Sequence, residues 1–65
     1  MQLQTRKEGG WEAIFRIGDR FLLRYIIPDD AGQFAVINPY KVEHTYPAFP
    51  TFLAACRYIK KTVAM

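Results

Sequence analysis

The chain holds almost none of the side chains from which active sites are usually built. Its 65 residues include one cysteine, Cys56, and one histidine, His44. A single cysteine excludes an internal disulfide framework and suits a reducing, cytoplasmic compartment. A Cys–His nucleophile needs both groups to meet in space with a third group orienting the imidazole. A tetrahedral zinc site needs about four ligands. Neither condition is met by two isolated residues, and Cys56 reads as a small buried hydrophobe within a helix. Phosphate-cradling glycine motifs are missing too, because Gly9-Gly10 lacks the downstream glycine and the Lys-Ser/Thr pair of such a loop. Asp29-Asp30 are adjacent acids of the kind that build turns. No apolar run approaches the roughly 18 residues of a membrane-spanning helix. The polar stretch Met1–Gly10 lacks the apolar core of a secretory signal. These absences predict a non-enzymatic protein with no cofactor, no metal and no membrane.

Charge of one sign is not strongly in excess. Nine Lys and Arg face six Asp and Glu, a net of +3 with a pI near 9.3. No block of five or six like charges marks a dedicated nucleic-acid arm. What the chain does have is apolar and aromatic content: 51% is hydrophobic, with one Trp, four Tyr and five Phe, so disorder is excluded. Residues 1–65 make one small domain. A chain this short folds with little margin, so either a dense aromatic core or a second chain must supply burial.

The hydrophobic pattern organises the chain. A polar leader covers 1–10. Residues 11–17 alternate with period two and are rich in aromatic and β-branched types, which predicts a strand. Gly18-Asp19 suits a two-residue type II′ hairpin turn, with glycine taking the positive φ. Strands are predicted at 20–27 and 33–37, separated by the loop Pro28–Gly32. Asn38-Pro39 stops the third, since proline has no N–H to donate. Residues 40–46 permit a short fourth strand. Thr51 is a helix N-cap, and Phe52, Ala55, Ile59 and Val63 recur at helical spacing, predicting a helix over 51–63. The fold class is α+β: a three-stranded antiparallel sheet packed on one C-terminal helix.

The alternation also predicts faces. Trp11, Ala13, Phe15 and Ile17, with Phe21, Leu23, Tyr25 and Ile27, form a wholly apolar or aromatic set. Glu12, Ile14, Arg16, Arg20, Leu22, Arg24 and Ile26 form the other. A strict two-residue turn would mix the sets by pairing Ile17 with Arg20. A bulge or an odd-numbered loop would keep them apart. Burying unpaired arginines costs several kcal/mol, which favours separation. The free face would then carry Arg16, Arg20 and Arg24 among Ile14, Leu22 and Ile26, edged by Arg6 and Lys7. Guanidinium groups fork onto phosphate and stack on bases, and a β-ribbon fits the major groove. The interleaved aliphatics suit a protein interface instead. Arg57, Lys60 and Lys61 read as cations favoured near a helix C-terminus. Tyr40, Tyr46 and Phe49 read as a cover over the open end of the core.

The order strand, strand, strand, helix, with Phe49-Pro50-Thr51 leading to Ala55 and Tyr58, resembles the AP2-like DNA-binding domains. The arm-site-binding N-terminal domains of phage-type integrases share that layout. The resemblance implies a sheet laid in the major groove, with Arg16, Arg20 and Arg24 as contacts. The chain thus reads as a small nucleic-acid-binding module of phage or mobile-element type. The alternative is a protein-binding inhibitor or adaptor, of the anti-host or anti-CRISPR kind, that uses the same face on an acidic or host protein surface. A homodimer or structural subunit, joined through that face or through a free strand edge, is a third reading.

Overall fold

The fold is that of a computed structural model, described over residues 1–63. The architecture is α+β, as the pattern predicts. Five strands, β1 (Gln2–Thr5), β2 (Trp11–Ile17), β3 (Arg20–Pro28), β4 (Phe34–Ile37) and β5 (Ala48–Phe49), precede one helix, α1 (Phe52–Val63). The strands form a single antiparallel meander in chain order. Residues 40–46 form no strand; they lie in the bends and turns between β4 and β5.

Two strands have weak sequence signals. β1 lies in the stretch read as a leader. Its residues are exposed and mostly polar, and it is held by main-chain pairing to β2 from Gln2↔Ile14 to Thr5↔Trp11. Ladder hydrogen bonds do not depend on side-chain polarity, so hydropathy does not reveal such an edge strand. β5 is two residues long and pairs Phe49 with Phe34.

The helix begins where Thr51 Oγ1 accepts the Ala54 N–H at 3.1 Å, satisfying one orphan donor of the first turn. Its buried residues Ala55, Cys56 and Ile59 face the sheet, flanked by Phe52, Tyr58 and Val63. They meet Ala13, Ile26 and Val36 from the three central strands. Trp11 and Phe52 stack edge-on at 4.7 Å beside Phe34, and Phe49 lies 4.9 Å from Tyr58. Trp11 and Phe49 therefore belong to the core layer. Tyr40 instead secures an edge: the Leu23 N–H donates to its hydroxyl at 3.1 Å.

The hairpin register corrects the expected faces. Ile17 pairs directly with Arg20 across Gly18-Asp19, and Gly18 has φ +60°. This is the strict two-residue turn, with an unbroken ladder from Trp11↔Ile26 to Ile17↔Arg20. The helix side of the sheet therefore carries Trp11, Ala13, Phe15 and Ile17 with Arg20, Leu22, Arg24 and Ile26. The opposite side carries Glu12, Ile14 and Arg16 with Phe21, Leu23, Tyr25 and Ile27. The penalty invoked against this register does not arise, because α1 covers only part of the helix side. Arg20 is exposed, Arg24 is half-buried, and among the described residues no charged residue is buried.

Candidate interaction surface

Strand lengths create the main surface feature. β1 pairs with β2 only as far as Ile14, and β4 pairs with β3 only from Tyr25 onward. From Phe15 to Leu22 the β2–β3 hairpin has no strand on either side and extends as a two-stranded arm, with Leu23 and Arg24 at its base. Ile17 is 48% exposed at its tip and Phe21 62%.

The arm's helix side carries Arg20 and Arg24, four residues apart on one strand and hence about 13 Å along it. The Arg24 guanidinium donates to the Leu23 carbonyl at 2.8 Å and lines a shallow cleft with Asn38, Glu43, Tyr58 and Thr62. That cleft fixes the direction of α1. Phe52, at its start, packs against Trp11 and Phe34, and Thr62, near its end, borders Arg24. The last turn, with Lys60 and Lys61, therefore ends on the side of the arm.

Among the described residues the ion pairs are Arg6–Glu8 at 3.8 Å and Lys41–Glu43 at 3.7 Å. Arg16, Arg20, Arg24, Arg57, Lys60 and Lys61 have no carboxylate partner there. Asp29 and Asp30 lie at the opposite end of β3. Asp29 accepts the Ala31 and Gln33 N–H groups at 3.0 and 2.8 Å and shapes the β3–β4 loop. The arm end thus carries these cations together with Asp19 in its turn and Glu43 on the cleft beside Arg24, and the opposite end of β3 holds the acidic turn.

The contact residues expected from sequence do not share a face. Ile26 is fully buried beneath the helix and contacts nothing outside the fold; its cross-strand partners Trp11 and Val36 draw it into the core. Leu22 is half-buried on the helix side with Arg20 and Arg24. Arg16 and Ile14 lie on the opposite side, where Arg16 Nε donates to the Gly18 carbonyl at 3.3 Å. Arg6 also reaches that side, its guanidinium 4.2 Å from the Tyr25 ring centroid, while Lys7 is exposed in the β1–β2 turn. One register step separates these groups, because side chains alternate with period two.

The helix-free side has a character of its own. Ile14, Leu23, Tyr25, Ile27, Ala35 and Ile37 are half-buried by one another, and no residue of α1 packs on them. Hydrophobic alternation indicates their faces only once the turn geometry is known.

His44 is exposed in the β4–β5 loop, while Cys56 is 6% exposed in the core. Burial pushes the Cys56 thiol above its ordinary value, with the nearby Lys60 opposing the shift. Among the described residues no group of three His, Cys, Asp or Glu is placed to hold a metal, and no helix is long and apolar enough to cross a membrane. Comparison with protein-family models, curated proteins and solved structures finds no match to this chain.

Proposed function

We propose that this chain is a non-enzymatic nucleic-acid-binding module of a reducing, cytoplasmic compartment. It makes contact through the helix side of the β2–β3 arm and the last turn of α1. The observation that carries this reading is that Arg20 and Arg24 share one side of β3 and that the last turn of α1, with Lys60 and Lys61, ends beside Arg24, none of the four in an ion pair among the described residues. Unpaired cations are free to neutralise phosphates and release their counterions. Two arginines in line along β3 follow a sugar–phosphate backbone, and their fork geometry matches phosphate oxygens. The acidic turn at the far end orients the approach of a polyanion.

This mode differs from the one implied by AP2-like and integrase arm-binding domains, where the helix-free face enters the groove. Of Arg16, Arg20 and Arg24, that face carries only Arg16. A protein partner is the second reading, favoured by the apolar character of the helix-free face.

Fluorescence anisotropy of a labelled DNA duplex tests the proposal. Three to four neutralised phosphates give a log–log salt slope of about −3, from roughly −0.9 per phosphate. Arg20→Ala combined with Arg24→Ala abolishes binding, whereas Arg16→Ala changes it little. Absence of binding at low salt overturns the reading.

A further inference from the structure

The helix-free side of the sheet belongs to a layer that the monomer leaves open. A sheet in a globular domain buries its apolar face against another element. Here the helix supplies that element on one side only. The core it makes is thin. Among the described residues six are buried, two of them alanines, and only Ile26 and Ile59 are large side chains with no exposure. On the other side Phe21 is exposed and Ile14, Leu23, Tyr25, Ile27 and Ile37 are half-buried, with the Arg6 guanidinium over the Tyr25 ring and no part of the helix-side core cluster among them.

Ladder pairing arranges this surface in rows. Arg16 and Phe21 form the row nearest the tip. Gln2, Ile14 and Leu23 form the next. Gln4, Glu12, Tyr25 and Ile37 form the third. Glu12 and Arg16 thus stand two residues to either side of Ile14, on the same face. A two-fold axis lying across the strands at the Ile14–Leu23 row exchanges the first and third rows. It sets Glu12 of one copy against Arg16 of the other, twice, and Phe21 against Tyr25 and Ile37. Ile14 and Leu23 then meet their own counterparts. An isologous contact requires a surface that is complementary to itself in this way.

We infer that the helix-free face binds a second copy of this chain, giving a four-layer helix–sheet–sheet–helix dimer with Glu12–Arg16 pairs across the two-fold axis. The contact is small. The axis lays β2 and β3 of one copy on β2 and β3 of the other, two strands of about 4.8 Å by some six residues of about 3.3 Å, or roughly 10 by 20 Å. That is about 200 Å² of footprint per copy, below a standard interface, so the complementarity of Glu12 and Arg16 carries the pairing and dissociation in the high-micromolar range is expected. Facing sheets would sit about 10 Å apart with their helices outward. The cation-rich helix sides would remain open, one on each outer surface.

Sedimentation equilibrium tests the inference without any nucleic acid, so its failure leaves the binding proposal standing and the converse also holds. The wild-type chain is expected to dimerise at hundreds of micromolar, as a contact of this size allows. Leu23→Lys places like charges together at the axis and is expected to give a monomer with a wild-type circular dichroism spectrum. The charge pair provides a second test should that variant unfold. Glu12→Arg alone and Arg16→Glu alone each weaken self-association at least about tenfold, from two like-charge contacts per dimer. Mixing the two variants restores a dimer, because both contacts then become attractive. A wild-type chain that stays monomeric at millimolar concentration overturns the inference. So does a dimer unaffected by Leu23→Lys, or charge variants whose mixture associates no better than either alone.

Discussion

Gly10 and Gly32 share a backbone conformation but not an environment, and exchanging each for alanine separates two physical costs. Their φ values are +79° and +77°. An alanine at either site is held in a left-handed conformation, which costs about 1–2 kcal/mol. At Gly32 nothing lies within 4 Å of the added Cβ. At Gly10 the Cβ would lie 2.4 Å from the Ile26 carbonyl oxygen and 2.9 Å from Ile27 Cδ1. Ile27 Cδ1 is the far end of a flexible side chain, the cheaper of the two contacts to relieve. The carbonyl belongs to the main chain of β3, at the residue paired with Trp11 in the central ladder. Relieving the contact means displacing that strand or the start of β2, an overpacking cost of about 1–3 kcal/mol added to the strain. Gly10→Ala is therefore expected to lose about 2–5 kcal/mol against about 1–2 for Gly32→Ala. For a domain this small, each kcal/mol lowers Tm by roughly 4–8 °C. Thermal melts followed by circular dichroism at one protein concentration give both values. Equal losses for the two variants would refute the close approach of the β1–β2 turn to β3.

The register makes an equally direct claim: Ile26→Ala should destabilise by about 2–5 kcal/mol and Ile14→Ala by distinctly less, measured by urea unfolding at a concentration where the chain is monomeric. Thr51→Ala removes the acceptor for the Ala54 N–H and should cost about 1 kcal/mol in the same assay, with Thr51→Ser recovering most of it. Tyr40→Phe should speed hydrogen exchange at the Leu23 amide with little change in Tm, since only that exposed edge bond is lost. Cys56 should react slowly with a thiol reagent in the folded chain. Its raised folded-state value means that the unfolded chain gives up the thiol proton first. The contribution is therefore complete below the ordinary value of 9.0 and is lost as pH rises through the folded-state value. A stability profile that rises with pH above 9.0 would contradict the burial of this thiol.

Local chemistry made a large part of the fold legible. β2, β3 and β4 follow from alternation and β-branched content, the hairpin from Gly18-Asp19, and α1 from Thr51 and the spacing of Phe52, Ala55, Ile59 and Val63. Each of these signals acts within a few residues, so neighbouring side chains are enough to express it. β1 left a weak trace because main-chain hydrogen bonds hold it, and those carry no hydropathy; β5 is two residues long, too short to show a period. The grouping of surface residues was not legible. Alternation divides each strand into two sets, but which set of β2 joins which set of β3 depends on one turn. The penalty for placing arginines on the helix side depends on how far the helix reaches. With α1 covering only part of that side, the two-residue turn costs nothing in buried charge. Ile26 becomes core, Arg20 and Arg24 stand beside the end of the helix, and Arg16 faces away with Ile14. Secondary structure here is a property of short segments, whereas the composition of a surface is set by the meeting of segments distant in the chain.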